Sequence, residues 1–167
     1  ELVNHESIEA VRNAYYFWGE MNLVDGAEEL LEQAQVRLAD DSYKSIHNVI
    51  IWAIGSFAAT HPDLIDLRLL KHYSLTHEYL LARFEATIAL GKCGLITNDQ
   101  DICQHLVQVI HTENGRNRYG ATQCLRLWSQ THALPEISWQ VDLEHDPDFG
   151  VRYEYSLMKN DGSERSL

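Results

Sequence analysis

The sequence contains nine histidines, the residue type that most often acts as a metal ligand or as an acid–base group near neutral pH. No two of them are three or four positions apart, so no helix would present a histidine pair on one face, and the His-Glu-x-x-His zinc motif is absent. Asp101 and His105 are four positions apart, which favours a contact on a helix surface. We therefore expect structural roles for the histidines, with no metal site and no cofactor.

Motifs of nucleotide binding and nucleophilic catalysis are also missing. The sequence has no phosphate-binding P-loop and no dinucleotide fingerprint. Ser56 in AIGSFA has one glycine before it and none two positions after it, so it does not form a nucleophile elbow. An enzyme needs several polar groups that converge on one pocket. The sequence offers repeated, linearly spread positions instead, which favours a non-catalytic protein.

The charge balance argues against a nucleic-acid ligand. The chain has 13 Lys and Arg against 25 Asp and Glu, a net charge of −12, and residues 1–60 carry ten acidic and three basic residues. Nucleic-acid affinity depends on cations that neutralise phosphates. A protein partner with a basic surface is the better electrostatic match, although acidity also serves solubility.

The cysteines and the apolar runs bear on location. Cys93, Cys103 and Cys124 form no Cys-x-x-Cys motif, and their odd number predicts buried free thiols in a reducing compartment. The longest apolar runs fall short of the roughly 20 residues that span a bilayer, and no signal segment opens the chain. The first residue is not Met, which indicates a processed piece. We expect a cytoplasmic protein that does not bind membranes.

A glycine recurs near the end of successive apolar stretches. Gly19, Gly55 and Gly91 are 36 positions apart, and Arg126 follows 35 positions later in the same pattern. The residue before each of these positions is large and apolar: Trp18, Ile54, Leu90 and Leu125. Self-similarity at a fixed period near 35 residues indicates stacked repeats. The glycine would let the backbone of a neighbouring helix approach closely at the same place in each repeat.

Each period divides into two helical segments. The first kind contains the glycine position and is predicted at residues 7–21, 42–58, 77–93, 115–130 and 149–159. The second kind has amphipathic spacing and is predicted at residues 25–39, 63–75, 99–111 and 135–144. The sequence thus predicts an all-α fold of about four and a half helix pairs, with one domain over residues 1–160 and a flexible tail at residues 161–167.

These repeats resemble HEAT-like repeats, including the variant named after phycobilisome lyases, whose motif runs loosely Asp-Pro-Asp-x-x-Val-Arg-x-x-Ala-x-x-Ala-Leu-Gly. HDPDFGVRYEYSL at 145–157 contains the loop and the Val-Arg pair, and LARFEATIALGKCG at 81–94 contains the arginine, both alanines and Leu-Gly. LADDSYKSIHNVIIWAIG at 38–55 retains two aspartates and Ile-Gly, with His47 in the arginine place. The resemblance covers residues 5–159 and implies a right-handed α-solenoid, an alpha–alpha superhelix.

The resemblance also raises enzymatic alternatives. Deoxyhypusine hydroxylase is a HEAT-like di-iron enzyme that uses His-Glu pairs about two turns before the helix glycine. His5-Glu6 and His77-Glu78 are such pairs, but the matching positions hold other residues: Arg12-Asn13, Asn48-Val49, Phe84-Glu85 and Tyr119-Gly120. A HEAT-like alkylpurine DNA glycosylase would need a basic groove, which the charge contradicts. Bilin lyase subunits share the repeat style and can be acidic, so a chromophore-handling function stays an alternative.

The position eight residues before the glycine position holds Val11 in the first repeat, which departs from the motif, and is basic or polar afterwards: His47, Arg83, Arg118 and Arg152. Stacked repeats would arrange these residues as a ladder on one face, where arginine can bind carboxylates of a partner. They can instead brace the preceding loop or the neighbouring repeat, because aspartates are close in sequence: Asp40, Asp41, Asp146 and Asp148. Both interpretations are open from the sequence.

AYYFWGE places four aromatic residues in succession, from Tyr15 to Trp18. At about 100° per residue they cannot all face one core. Trp18 occupies the repeated apolar position, so we expect it to be buried. At least one of Tyr15 and Tyr16 should then face solvent, a partner or a neighbouring helix. Tyrosine is enriched at interfaces because it combines contact area with a polar group.

The sequence therefore predicts a non-catalytic protein–protein interaction or scaffold module that binds through the concave row of glycine-bearing helices. A bilin lyase-like protein is the alternative, and an acidic inhibitor or immunity-type protein for a basic partner is a second one. Uncapped ends of the array also allow oligomerisation. The candidate binding surface consists of Tyr15, Tyr16, His47, Arg83, Arg118 and Arg152.

Overall fold

The computed structural model describes residues 7–21, 25–58 and 61–164, with side chains as far as residue 160. Eight α-helices contain most of these residues, and no strand occurs among them. The helices are α1 (Ile8–Met21), α2 (Ala27–Leu38), α3 (His47–Phe57), α4 (Leu67–Thr76), α5 (Leu80–Thr97), α6 (Gln100–Thr112), α7 (Gly115–Thr131) and α8 (Phe149–Glu164). Within the described part of the chain, no helix is long and apolar enough to cross a membrane.

The helices form two groups: row helices that contact one another in succession, and covering helices that pack on the row. In the row, α1 contacts α3, α3 contacts α5, α5 contacts α7, and α7 contacts α8. Of the covering helices, α2 contacts α3, α4 contacts α5, and α6 contacts both α5 and α7. The covering helices bury one face each, as the spacing of Ile102, Leu106 and Val109 in α6 shows. The predicted all-α class is confirmed, and the row consists of the helices predicted to contain the glycine position.

One hydrophobic cluster holds the row and the covering helices together, since it contains residues from all eight helices. Its largest fully buried side chains include Tyr15, Phe57 and Trp128. Trp18 stacks on Phe57 with the ring centroids 4.3 Å apart. Burial of each such side chain stabilises the fold by roughly 2–3 kcal/mol through the apolar surface removed from water.

The three repeated glycines occupy equivalent places, each facing the next helix of the row. A Cβ atom added at each glycine would lie too close to that helix: 2.5 Å from Trp52 Cζ3 for Gly19, 2.9 Å from Ala89 Cβ for Gly55, and 2.1 Å from Cys124 Sγ for Gly91. The expected close approach of a neighbouring backbone occurs at Gly55, where the added Cβ would lie 3.4 Å from Ala89 Cα. At Gly19 and Gly91 a side chain of the neighbouring helix fills the space instead, so the expectation is wrong at these two positions.

The helix predicted at residues 135–144 is wrong, because this stretch has no regular secondary structure. It runs from the end of α7 to the start of α8 with buried or half-buried residues at every second position: Ile137, Trp139, Val141 and Leu143. An extended segment has this two-residue period. The fourth covering helix is therefore absent from the described residues, and the pair count of about four and a half is too high.

The bounds of three other elements differ from the expected ones. A 3₁₀ helix at Asp41–Ile46 precedes α3, and the Asp40 carboxylate caps it by accepting from the backbone N–H of Ser42 at 2.9 Å. α5 begins only at Leu80. At the other end, α8 extends to Glu164, within the predicted tail at residues 161–167, of which residues 165–167 lie outside the described part of the chain.

Candidate functional site

Each row helix presents two positions four residues apart, which therefore lie on one face of the helix. They stand seven and three residues before the repeated glycine position or its equivalent. Their occupants are Arg12 and Tyr16, Asn48 and Trp52, Phe84 and Ile88, Tyr119 and Gln123, and Tyr153 and Leu157, and all ten are exposed or half-buried. Every row helix thus contributes one aromatic side chain to this face. We call the set of Tyr16, Trp52, Phe84, Tyr119 and Tyr153 the aromatic row.

Members of the aromatic row contact the next helix of the row, in one case through another member and in two cases at a glycine. Tyr16 stacks on Trp52 with the ring centroids 5.1 Å apart. The Phe84 ring lies against Gly120 of α7, where an added Cβ would come within 2.9 Å of it. Gly150 of α8 admits the next ring along the row in the same way, since an added Cβ there would lie 2.7 Å from Tyr119.

The aromatic row is accessible to a partner at both ends. Tyr16 is 55% exposed and Tyr153 is 52% exposed, while the members between them are half-buried. Leu81 and Leu127 are also exposed, three residues before Phe84 on α5 and four residues after Gln123 on α7. Single exposed apolar residues are ordinary, whereas several on one face are typical of interaction surfaces.

A cavity of about 320 Å³ lies on this face between α1, α3 and α5. Its lining consists of Tyr16, Glu20, Asn48, Val49, Trp52 and Glu85. Glu85 is half-buried, and burial raises the pKa of its carboxyl group against the smaller opposing effects of Arg116 and Lys92. Among the described residues, no lysine or arginine forms an ion pair with Glu85. The cavity thus combines an aromatic wall with an under-compensated carboxylate.

The predicted arginines are engaged within the chain. Arg83 donates from Nε to the carbonyl of His77, just before its own helix. From Nη1 it donates to both carboxylate oxygens of Glu113, at 3.1 and 3.0 Å, just before the next row helix. Its side chain is 24% exposed. These contacts are those of a residue that braces two successive loops.

Arg118 and Arg152 make comparable contacts further along the row. Arg118 donates from Nε to the carbonyl of Ile110 at 2.9 Å and from Nη1 to the carboxylate of Asp146, which is 1% exposed. Arg152 donates to the backbone carbonyls of Asp146 and Pro147 in the loop before α8. Of the four aspartates considered from the sequence, only Asp146 accepts a side-chain hydrogen bond from these arginines among the described residues.

His47 is buried and belongs to a directional chain of hydrogen bonds. The backbone N–H of Tyr79 donates to His77 Nδ1 at 3.1 Å, so a neutral His77 holds its proton on Nε2. That Nε2 lies 3.0 Å from His47 Nδ1, and His47 Nε2 lies 3.2 Å from the carbonyl of Arg37. All three contacts are satisfied when both imidazoles are neutral and donate from Nε2. Burial lowers the pKa of both histidines.

The aromatic cluster of α1 divides between core and surface. Trp18 is buried, as expected from its repeated apolar position. Tyr15 is fully buried, and its hydroxyl accepts from Arg37 Nη1 at 3.3 Å. Tyr16 faces outward, which confirms that at least one of the two tyrosines leaves the core. Only Tyr16 of this pair can contact a partner without rearrangement.

The groups suited to metal or thiol chemistry do not assemble into a site. Within the part of the chain that the structure describes, no three His, Cys, Asp or Glu side chains come together as metal ligands. His5 and Glu6 lie outside the described residues. The three cysteines are free and buried, as predicted, and burial raises the pKa of Cys93 and Cys124 to about 12 and that of Cys103 to about 11. Such thiols stay protonated and are weak nucleophiles.

Four members of the aromatic row were not among the predicted surface residues, although the sequence holds a signal for three of them. An aromatic residue directly follows each repeated arginine: Phe84 after Arg83, Tyr119 after Arg118 and Tyr153 after Arg152. One step along a helix turns a side chain by about 100°. The arginine therefore reaches the loops while the aromatic residue lies on the exposed face.

No protein-family model, no curated protein and no solved structure matches the chain. The geometry of the row helices is thus the basis for a functional conclusion.

Proposed function

We propose that the chain is a right-handed HEAT-like α-solenoid that binds another protein through the exposed face of its row helices. The period near 35 residues, the successive contacts from α1 to α8, and the equivalent environments of Gly19, Gly55 and Gly91 support this architecture. In such an array each repeat contacts its neighbours, and one side becomes an extended concave binding surface. The extended segment after α7 takes the place of one covering helix.

The observation that carries the functional proposal is the aromatic row. Tyrosine and tryptophan offer a large rigid contact area, and they are enriched among the residues that dominate binding energy. Here one aromatic side chain from each row helix lies on the same face. The polar residues among the ten positions of that face, Arg12, Asn48 and Gln123, belong to three different helices, which favours a binding surface over an active site.

The partner that we infer has a basic surface and is neither a nucleic acid nor a membrane. A net charge of −12 attracts such a partner and speeds its association. An inhibitor that covers a basic site of its target is one form of this function. The buried free thiols favour a reducing compartment such as the cytoplasm.

Affinity purification from the source organism, with wild-type protein and two variants, tests the proposal. Tyr153→Ser removes an exposed member of the aromatic row, and Tyr79→Ser is the matched control, since Tyr79 is 48% exposed but lies before α5. Loss of a dominant aromatic contact costs roughly 2 kcal/mol or more. We expect Tyr153→Ser to bind the captured protein at least about tenfold more weakly, whereas Tyr79→Ser binds it like the wild type.

Equal binding by Tyr153→Ser and the wild type would contradict the proposed surface. Recovery of a pigment or another small ligand with no accompanying protein would favour the chromophore-handling alternative.

A further inference from the structure

The cavity between α1, α3 and α5 has an aromatic wall suited to a cation. Tyr16 and Trp52 are stacked at an interplanar angle of 17°, and both line the cavity. The face of an aromatic ring attracts a positive charge, and tryptophan does so most strongly. The Trp52 ring packs against Gly19 of α1, where an added Cβ would come within 2.5 Å of Cζ3. The wall is therefore preformed.

Carboxylates supply the opposite charge in the same cavity. Glu20 is exposed at its rim, and Glu85 is half-buried in its lining. The cations that act on Glu85 from within the chain are Lys92 and Arg116, and the Arg116 guanidinium lies 4.6 Å from the centre of the Phe84 ring. Because desolvation outweighs both of them, a further positive charge beside Glu85 would be stabilising.

We propose that this cavity receives an arginine side chain of the protein partner, with its guanidinium between the Tyr16–Trp52 stack and the Glu85 carboxylate. This inference rests on the proposed function, and it adds the chemistry of the partner at one point of the face.

The shape of the cavity favours a guanidinium over other groups. A guanidinium is planar, so it can lie flat on an aromatic ring while two of its N–H groups donate to one carboxylate. The side-chain carbonyl of Asn48, in the same lining, can accept a further N–H. A volume of about 320 Å³ is at the lower end of ligand pockets and suits one side chain. The net charge of −12 draws a basic segment toward the protein.

A titration followed by NMR tests this inference with the tripeptide acetyl-Leu-Arg-Leu-amide as the probe. The indole N–H signal of Trp52 is assigned with a Trp52→Phe variant. We expect this signal to shift saturably with a Kd on the order of 1 mM, because a single side chain supplies little affinity by itself. The same peptide with citrulline in place of arginine keeps the shape and loses the charge, and we expect it to cause no saturable shift.

Two matched variants distinguish binding at the cavity from attraction of the peptide by the overall negative charge. Glu85→Gln removes the cavity carboxylate, and we expect binding to weaken about tenfold, since hydrogen bonds to charged groups are stronger than those to neutral groups. Glu28→Gln makes the same charge change at an exposed position of α2 and should bind the peptide like the wild type. Retained helical circular dichroism shows that each variant is folded.

The inference is overturned if the arginine peptide leaves the Trp52 signal unchanged, if the citrulline peptide shifts it equally, or if Glu28→Gln weakens binding as much as Glu85→Gln. Failure here is distinct from failure of the proposed function. If the captured protein binds Tyr153→Ser weakly but binds Glu85→Gln like the wild type, the proposed binding surface stands and the proposed arginine site is wrong.

Discussion

At the scale of single residues, the position eight residues before the glycine position links one row helix to the residues just before the next row helix. His47 bonds to His77, Arg83 to Glu113 and Arg118 to Asp146, at sequence separations of 30, 30 and 28 residues. Each acceptor or partner lies just before the next row helix. A guanidinium spans this gap with several donors, and in the second repeat two neutral imidazoles span it instead. The position thus aligns neighbouring helices of the row.

Arg118→Ala should destabilise the protein strongly. Among the residues that the structure describes, the substitution leaves the buried Asp146 carboxylate with the Asp148 backbone N–H as its one donor, at 2.9 Å, and it removes the donor to the Ile110 carbonyl. An uncompensated buried charge costs about 3 kcal/mol or more. Urea unfolding measures the loss. Lys159→Ala is the control, because its pair with Glu144 is about half exposed and should contribute less than ~1 kcal/mol.

Equal losses in these two variants would contradict the bracing role of Arg118. Lost partner binding at unchanged stability would favour the surface interpretation of the arginine ladder instead.

Stability should fall as the pH is lowered below about 6.5, the ordinary pKa of histidine. Burial lowers the pKa of His47 and His77, and it lowers the pKa of His105, whose Nε2 lies 2.7 Å from Ser74 Oγ, to about 4. The unfolded chain therefore takes up protons before the folded protein does, and the free energy of unfolding decreases as the pH falls. With its pKa at about 4, His105 should contribute about 1 kcal/mol of loss between pH 7.5 and 5.5, and His47 and His77 act in the same direction.

Urea unfolding at several pH values checks this dependence. The His105→Gln variant should show a shallower slope of unfolding free energy against pH than the wild type. An unchanged slope in His105→Gln would show that this histidine titrates alike in the folded and unfolded states.

At the scale of helices, the row was predictable because its repeat combines several signals at one period. The glycine and the large apolar residue before it recur at Gly19, Gly55 and Gly91, and the basic or polar residue eight positions earlier recurs from His47 onward. The last two row helices were located from Arg118 and Arg152, because the glycine does not recur there. The stretch at 135–144 has no such register. Its apolar residues alternate at Ile137, Trp139 and Val141, which is the period of an extended chain, and this pattern was interpreted as an amphipathic helix.

The candidate site was less predictable, because it depends on contacts between repeats. Glu113, the carboxylate that Arg83 binds, is 30 residues away in a loop, and its place follows from the stacking of α5 and α7 rather than from a local pattern. Tyr16 was identified from local crowding of aromatic residues, whereas Trp52 becomes its stacking partner only when α1 packs on α3. Phe84 could have been found from the arginine before it.

Gly91→Ala should destabilise the contact between α5 and α7. Alanine is the better helix former by roughly 0.5–1 kcal/mol, but its Cβ would lie 2.1 Å from Cys124 Sγ and 2.7 Å from Cys124 Cβ. Overpacking of a core costs about 1–3 kcal/mol, so we expect a net loss in a thermal unfolding experiment. The double variant Gly91→Ala/Cys124→Ala should recover part of the loss, because Sγ is removed. A more stable Gly91→Ala protein would contradict the close packing of α5 against α7 at Gly91.

At the scale of the whole molecule, the stacking of the row creates the surface that we propose as functional. Neighbouring helix axes lie roughly 8–10 Å apart in packed proteins, so a row of five helices would present a face about 35 Å long. Each helix contributes one aromatic side chain to this face, and the hydrophobic cluster below it contains residues of every helix. Because the aromatic side chains come from different helices, binding along this face depends on the stacking of those helices.

The central claim is that successive row helices stack in register and so place the aromatic row on one face. A NOESY spectrum of the protein in solution tests it most directly. We predict cross-peaks between the rings of Tyr16 and Trp52, between the Phe84 ring and the Hα atoms of Gly120, and between the Tyr119 ring and the Hα atoms of Gly150. The contact of Trp18 with Phe57 in the core is the internal control. A spectrum that shows the core contact and lacks the three contacts along the row would contradict the account.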